Sequence, residues 1–310
     1  MASVDQFGLA APASEALFSA VANRAAAYLS LTKPRLVVLV LATVAAGFFL
    51  GLRWESRSLS IMTLAMTLLG TALVAGGAGA INQWLERDRD STMRRTASRA
   101  LPSGRVSPGE AMLFGSLIVL AGTVILLLQA GTLPAAVAFL TFVLYVFIYT
   151  PLKTRTTLNT SVGAIPGALP PLIGWAAAAG RLGPEAWSLF LIVFLWQFPH
   201  FLAIAWIYRE DYRRAGFQML TVHDPRGRRT GCQAFSYALV LVPTGVLPAI
   251  VGLAGPVYSV GALLFGLFYL TDAARFWLDS TDARARRLLY SSFLYLPAIL
   301  ILLLVNPLPY

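Results

Sequence analysis

Nine apolar runs, each long enough to cross the hydrocarbon core of a bilayer, decide what this chain can fold into. They fall near residues 36–52, 60–85, 110–129, 133–150, 160–180, 187–208, 233–253, 257–276 and 288–305. A helix rises about 1.5 Å per residue, so roughly 20 apolar residues span the ~30 Å core. Lipid offers no hydrogen bonds to bare backbone, so each continuous apolar run has to satisfy its own amides as a helix. Composition excludes the soluble alternative: 57% of the residues are hydrophobic, 12% are charged and the mean hydropathy is +0.70. A soluble domain would carry about twice that charge. Pro166, Pro170 and Pro171 should kink the fifth run and Pro199 should bend the sixth, because each proline removes a backbone donor.

The charges encode orientation. All of the 24 Lys and Arg except Arg53, Arg57 and Arg181 fall in loops on one side, and such a bias marks that side as cytosolic. The net charge of +10 therefore reflects topology, and no nucleic-acid partner is expected. The N-terminus is expected inside and, after an odd number of spans, Tyr310 outside. Residues 1–27 carry only Arg24, Asp5 and Glu15 as charges. They show no charged leader ahead of an apolar core and are expected to be a loosely ordered cytosolic tail before a single domain at 28–310. The lone Cys232 excludes an internal disulfide and a cysteine metal cluster; it is expected to be a small buried residue.

The chemistry concentrates where the second run meets the cytosol, in NQWLERDRDSTMRRTASRALPSGR, Asn82 to Arg105. Asn82, Glu86 and Asp90 recur every fourth residue and so share one helical face, with about 6 Å of rise between neighbours. Oxygen donors in such a row suit Mg²⁺, with Mn²⁺ able to stand in. Mg²⁺ characteristically takes one or two carboxylates and completes its shell with phosphate oxygens and water. Arg87, Arg89, Arg94, Arg95 and Arg99 could neutralise a polyphosphate. The alternative is a solvated positive-inside loop whose acids only balance the arginines. Asp88 points nearly opposite Glu86 and reads as a cap or an arginine partner. The sixth run ends similarly, in Tyr208-Arg209-Glu210-Asp211-Tyr212-Arg213-Arg214. Two acidic helix ends facing one cavity would grip a metal-bound diphosphate from both sides. The expected fold is thus all-α, with nine transmembrane helices bundled around a central cavity open to the cytosol.

His200, one of two histidines, lies within the sixth run after Pro199. It precedes Asp211 by about three turns, which puts both on one face with His200 about 16 Å deeper. It is a candidate site residue; the alternative is a histidine hydrogen-bonded to a neighbouring helix. His223, in the basic loop, reads as solvated. Trp196, Phe198 and Phe201 could line a ligand pocket or simply pack.

At this level the sequence resembles the UbiA-type intramembrane prenyltransferases, in the version found in protoheme IX farnesyltransferases. The first motif matches through Asn82, Glu86, Asp88, Asp90, Met93, Arg95, Thr96, Arg99, Leu101, Ser107 and Pro108. Glu86 stands where Asp is usual, and Ala100-Leu101 replaces Pro-Leu. Leu31-Thr32-Lys33-Pro34-Arg35, then Tyr149-Thr150 with Lys153, Arg155, Thr156 and Asn159, match further segments, with Thr154 where a base is common. Trp196-Gln197-Phe198-Pro199-His200-Phe201, Asp211-Tyr212, Ala215-Gly216 and Met219-Leu220 complete the signature. The resemblance holds in register from Leu31 to Leu220; beyond that only hydropathy agrees.

The resemblance implies transfer of farnesyl from farnesyl diphosphate to a vinyl group of haem b, with water adding the new hydroxyl to give haem O. It implies Asn82, Glu86, Asp90 and Asp211, with Glu210, at the Mg²⁺–diphosphate site. Lys153 joins the catalytic set and, with Arg95, Arg99, Arg155 and Tyr208, contacts the diphosphate. His200 is placed at the haem, and Lys33 and Arg35 at its propionates or as anchors. Haem b is substrate, not cofactor. The setting implied is a bacterial inner membrane, with haem A synthase or a terminal oxidase assembly as partners. Two rivals remain at this level. One is a prenyltransferase of the same superfamily acting on a phenolic or quinone precursor or a chlorophyllide. The other is a transporter, against which stands the clustering of polar groups at one end of the spans rather than at the midplane.

Overall fold

Every one of the nine runs forms a helix. The computed structural model describes residues 13–306, and of residues 13–17 the backbone alone. Residues 1–12 of the expected tail and the C-terminus at Tyr310 lie outside the described residues. The chain runs through α1 (Ala13–Leu31), α2 (Pro34–Trp54), α3 (Ile61–Asp90), α4 (Pro108–Gln129) and α5 (Thr132–Val143). A π-helical segment, Leu144–Tyr149, leads into α6 (Thr150–Leu152). Then come α7 (Asn159–Ala168), α8 (Pro170–Ala179), α9 (Pro184–Ile207), α10 (Arg209–Arg214), α11 (Arg228–Thr244), α12 (Leu247–Ile250), α13 (Pro256–Leu278) and α14 (Asp282–Val305). Nine spans among the described residues are long and apolar enough to cross a membrane.

Local chemistry sets the helix boundaries. Ser107 caps α4 reciprocally with Glu110, its hydroxyl taking the Glu110 amide while the Glu110 carboxylate takes its own, which satisfies two of the orphan donors at a helix start. The fifth span divides at Leu169, directly before Pro170 and Pro171, as their missing donors require. Pro199, by contrast, leaves α9 unbroken. The fourth span stays helical through the π segment. Pro151 cannot donate and its ring crowds the carbonyl one turn back. The chain widens just ahead of it, with both the Thr150 amide and, at 2.9 Å, the Thr150 hydroxyl donating to the Tyr145 carbonyl.

One expectation fails at the N-terminus. Residues 13–27, expected to belong to a loose tail over 1–27, form most of α1 (Ala13–Leu31). Ala27 and Leu31 are buried in a cluster with Ala80, Leu101 and Ala111, and Tyr28 meets Phe114 edge-on at 5.1 Å. That apolar contact, with an Arg24–Glu110 ion pair, holds the helix down.

Small residues bring the spans together, as expected where lipid supplies no hydrophobic drive between helices. α2 packs on α8 and α3 on α4, while α9, α11, α13 and α14 pack as a group. Gly174 of α8 lies so close to α2 that a Cβ there would sit 1.8 Å from the Val44 carbonyl oxygen. The obstacle is backbone and cannot rotate aside. Gly174→Ala is therefore expected to part the two helices and destabilise the protein by about 3 kcal/mol or more, read as a lowered unfolding midpoint in detergent.

Candidate active site

α3 continues past the membrane-length run to Asp90 and carries the acidic row with it. Asn82, Glu86 and Asp90 are all buried, on one face as their spacing requires. Asp88 faces water beside Arg87, at 3.6 Å. Each member of the row is held by a different cation, two of them from distant parts of the chain. Lys33 Nζ donates to Asn82 Oδ1 at 2.8 Å, Lys153 Nζ to Glu86 Oε1 at 2.9 Å and Arg99 Nη1 to Asp90 Oδ2 at 2.7 Å. Tyr145 Oη also donates to Asn82 Oδ1, at 3.2 Å, and Asn82 Nδ2 donates to Thr150 Oγ1 at 3.1 Å. The π segment thus delivers Tyr145 and Thr150 to the same asparagine.

Lys33 moves furthest from expectation. It does not share a site with Arg35, which is exposed; its ammonium sits in the acidic row. The backbone pays for this reach with a left-handed conformation, φ 53°, which is uncommon for a non-glycine residue and typical of functional positions. Burial, with the Arg99 and Lys153 cations nearby, pushes the Lys33 ammonium down to about 7. Burial also disfavours the charge on Lys153, but Glu86 beside it outweighs that and holds it above the usual lysine range.

The loops after α3, α6 and α10 close on one another beside this row. Met93 packs with Ala215, Phe217 and Met219. The Arg95 guanidinium lies 5.3 Å from the Tyr208 ring centre, not on the acidic row. The Gln218 amide donates to the Lys153 carbonyl at 2.6 Å, and Asn159 Nδ2 to the Gln218 carbonyl at 2.8 Å. A cleft of about 220 Å³ opens here, bounded by Glu86, Arg89, Thr150, Thr154, Arg155 and Phe217. Arg155 is exposed and, among the described residues, makes no ion pair.

The second acidic helix end divides. Asp211 is 13% exposed at its side chain, with Arg214 4.0 Å away. Glu210 is 52% exposed and engaged by Arg213 and Arg214 of its own helix; Arg213 holds its carboxyl below the usual range. Their difference is helix phase: neighbours in a helix point about 100° apart. Among the described residues, no three His, Cys, Asp or Glu side chains gather into a metal cage. A cation carried by a diphosphate nevertheless fits. Asp90 Oδ1 is buried without a hydrogen-bond partner, an arrangement costly unless something completes it. The available donors are hard oxygens, as Mg²⁺ requires.

His200 stands apart from this row, buried and stacked on Trp196 with ring centres 4.9 Å apart. Its Nδ1 lies 2.7 Å from Ser292 Oγ of α14. Phe198 stacks on Tyr237 at 3.6 Å and Phe201 is 41% exposed. His223 is exposed beside Gln218. Cys232, expected buried, is exposed. Tyr145, Phe217 and Ser292 are the residues that sequence reasoning passed over, and Thr150 entered it only as part of a matched segment; the hydroxyl of Tyr145 within an apolar run was the available signal.

Comparison with known proteins identifies the family. The profile of the UbiA prenyltransferase family matches residues 40–297. A protoheme IX farnesyltransferase of Solibacter usitatus is 48% identical over 285 residues, covering 90% of this chain and 98% of the relative. One from Salinibacter ruber is 45% identical over 279 residues, with 90% and 98% covered. Among solved structures, a digeranylgeranylglyceryl phosphate synthase superposes with a TM-score of 0.76 at 16% identity, covering 91% of this chain and 98% of that one. A UbiA homologue from Archaeoglobus fulgidus bound to GPP and Mg²⁺ gives 0.66 at 16% identity, covering 90% and 100%. These structural likenesses carry the fold, and the sequence relatives carry the family: this chain is a multi-pass integral membrane protein of the UbiA prenyltransferase family and belongs within it to the protoheme IX farnesyltransferases.

Proposed function

We propose that this chain transfers the farnesyl group of farnesyl diphosphate to a vinyl group of haem b, with addition of water, to give haem O. The observation that carries the reading is the buried row Asn82, Glu86 and Asp90, each member already engaged by a cation. It accompanies 48% identity to a relative of that activity. When bound, Mg²⁺ would neutralise charge on the diphosphate leaving group; Glu86 and Asp90, with Asn82 and Asp211, are the residues that would hold it. Lys33, Lys153 and Arg99 turn from the row toward phosphate oxygens, stabilising the charge that develops as the allylic C–O bond breaks. Arg155, at the rim of the cleft, meets the diphosphate as it enters. The electron-rich vinyl carbon then attacks the allylic cation, so no side chain acts as nucleophile. The rings of Tyr149 and Phe217 lie 4.7 and 5.8 Å from the Lys153 ammonium, apolar surface beside the row that helps keep water from trapping the cation first. His200 ligates the haem iron. The protein lies in a bacterial inner membrane with its N-terminus in the cytosol and its C-terminus outside.

Purified protein incubated with haem b, farnesyl diphosphate and Mg²⁺ is expected to yield a product with the mass of haem O; unchanged haem b would overturn the reading. Arg155→Gln is expected to raise KM for farnesyl diphosphate about tenfold, the equivalent of roughly 1.4 kcal/mol, with kcat nearly unchanged. A fall in kcat at constant KM would instead place Arg155 at the reacting bond.

A further inference from the structure

His200 is more than nine-tenths buried on α9. Its ring lies against Trp196, with the edges of Phe201 and Phe293 at 5.2 and 5.3 Å. The contact of interest is the one to Ser292. Nδ1 is 2.7 Å from the Ser292 hydroxyl, and that hydroxyl lies 2.5 Å from the carbonyl oxygen of Leu289. A carbonyl only accepts, and a serine has a single proton to give. Two oxygens at that separation need the proton between them, so Ser292 donates to Leu289. The proton shared with the imidazole must then come from the ring. His200 is thereby the Nδ1–H tautomer, with its lone pair on Nε2. Among the described residues Nε2 takes no hydrogen bond, which leaves its lone pair available to a ligand.

We propose that Ser292 is a positioning residue for haem b: by accepting the Nδ1 proton it fixes the tautomer and ring orientation of His200, so that Nε2 presents a lone pair to the haem iron. This rests on His200 being the iron ligand. An imidazole whose other nitrogen donates a hydrogen bond is a stronger ligand, and removing such a support typically lowers metal affinity 10–100-fold. The serine backbone is placed independently of its hydroxyl. Trp196 Nε1 donates to the Ser292 carbonyl at 2.9 Å, and α9 packs against α14 along the same seam. Ser292→Ala therefore removes the proton acceptor, together with the hydroxyl's own bond to Leu289 and its contact with Tyr269, and leaves the backbone in place.

The test uses the full chain in lipid nanodiscs, titrated with ferric haem b by absorbance, with the ferrous complex examined by resonance Raman. Ser292→Ala is expected to weaken haem binding about tenfold and to lower the iron–imidazole stretching frequency, with farnesyl diphosphate affinity unchanged. A purely structural role for the serine would not move that frequency. Ser292→Thr, which keeps the hydroxyl, is expected to retain the unsubstituted frequency, and a lowered one would overturn the proposal. His200→Ala is expected to lose the iron–imidazole band. Loss there with full affinity and frequency in Ser292→Ala overturns the role of Ser292 and leaves His200 as ligand. A band that survives in His200→Ala overturns the ligand assignment, and the Ser292 proposal falls with it.

Discussion

Asp90→Asn is expected to lower kcat on the order of 10²- to 10³-fold, the usual effect of removing one group that stabilises developing charge in an active site. The substitution is nearly isosteric. Asp90 is 1% exposed, and its Oδ2 accepts from Arg99 at 2.7 Å; an amide oxygen can still accept that bond. What the variant loses is negative charge at Oδ1, the buried atom that no protein donor satisfies. The fold should survive and catalysis should not. Product formation at saturating farnesyl diphosphate and haem b, alongside an unfolding curve, separates the two effects. Turnover within threefold of the unsubstituted protein would remove Asp90 from the site.

Lys153→Met is expected to be the more damaging change to stability. Lys153 and Glu86 are 13% and 8% exposed and lie 2.9 Å apart. Removing one partner of a buried pair leaves the other charge unpaired, which typically costs about 3–5 kcal/mol. The double variant Glu86→Gln, Lys153→Met leaves neither charge and is expected to recover most of that loss while remaining inactive. Melting in detergent and haem O formation, measured on both variants, test the pair. A single variant as stable as the parent would mean that water reaches Glu86 and that the pair is solvated. A double variant that turns over would exclude both residues from catalysis.

The architecture was legible because lipid leaves the backbone few choices. Run length and the prolines after Leu169 were enough to place the spans and the break in the fifth. The face shared by Asn82, Glu86 and Asp90 followed from helical spacing alone. Spacing could not tell which cation each member of the row holds. Lys33 lies 49 positions from Asn82 and Lys153 lies 67 from Glu86, and only packing brings them together. Nor could it separate Asp211 from Glu210, since the phase of α10 depends on the break after Ile207. The π segment was invisible for a different reason. Leu144–Tyr149 reads as six more apolar and aromatic residues, and Pro151 just beyond it signals a disturbance without saying that the chain answers with a wide turn that carries Tyr145 to Asn82. α1 was hidden because alanine-rich sequence is equally compatible with a loose tail and a helix, and only the surface beneath it decides.

The three cations seated on the acidic row have a consequence for the order of events. An unliganded protein whose carboxylates are already matched by internal counter-ions offers little attraction to bare divalent ions in the surrounding water, because any such ion would have to displace an ammonium or a guanidinium. A phosphate-bearing ligand removes that obstacle by giving the displaced cations somewhere to go. Metal and prenyl donor should therefore load together, as one neutralised package, and calorimetry with Mg²⁺ alone should register far weaker binding than with Mg²⁺ and farnesyl diphosphate combined.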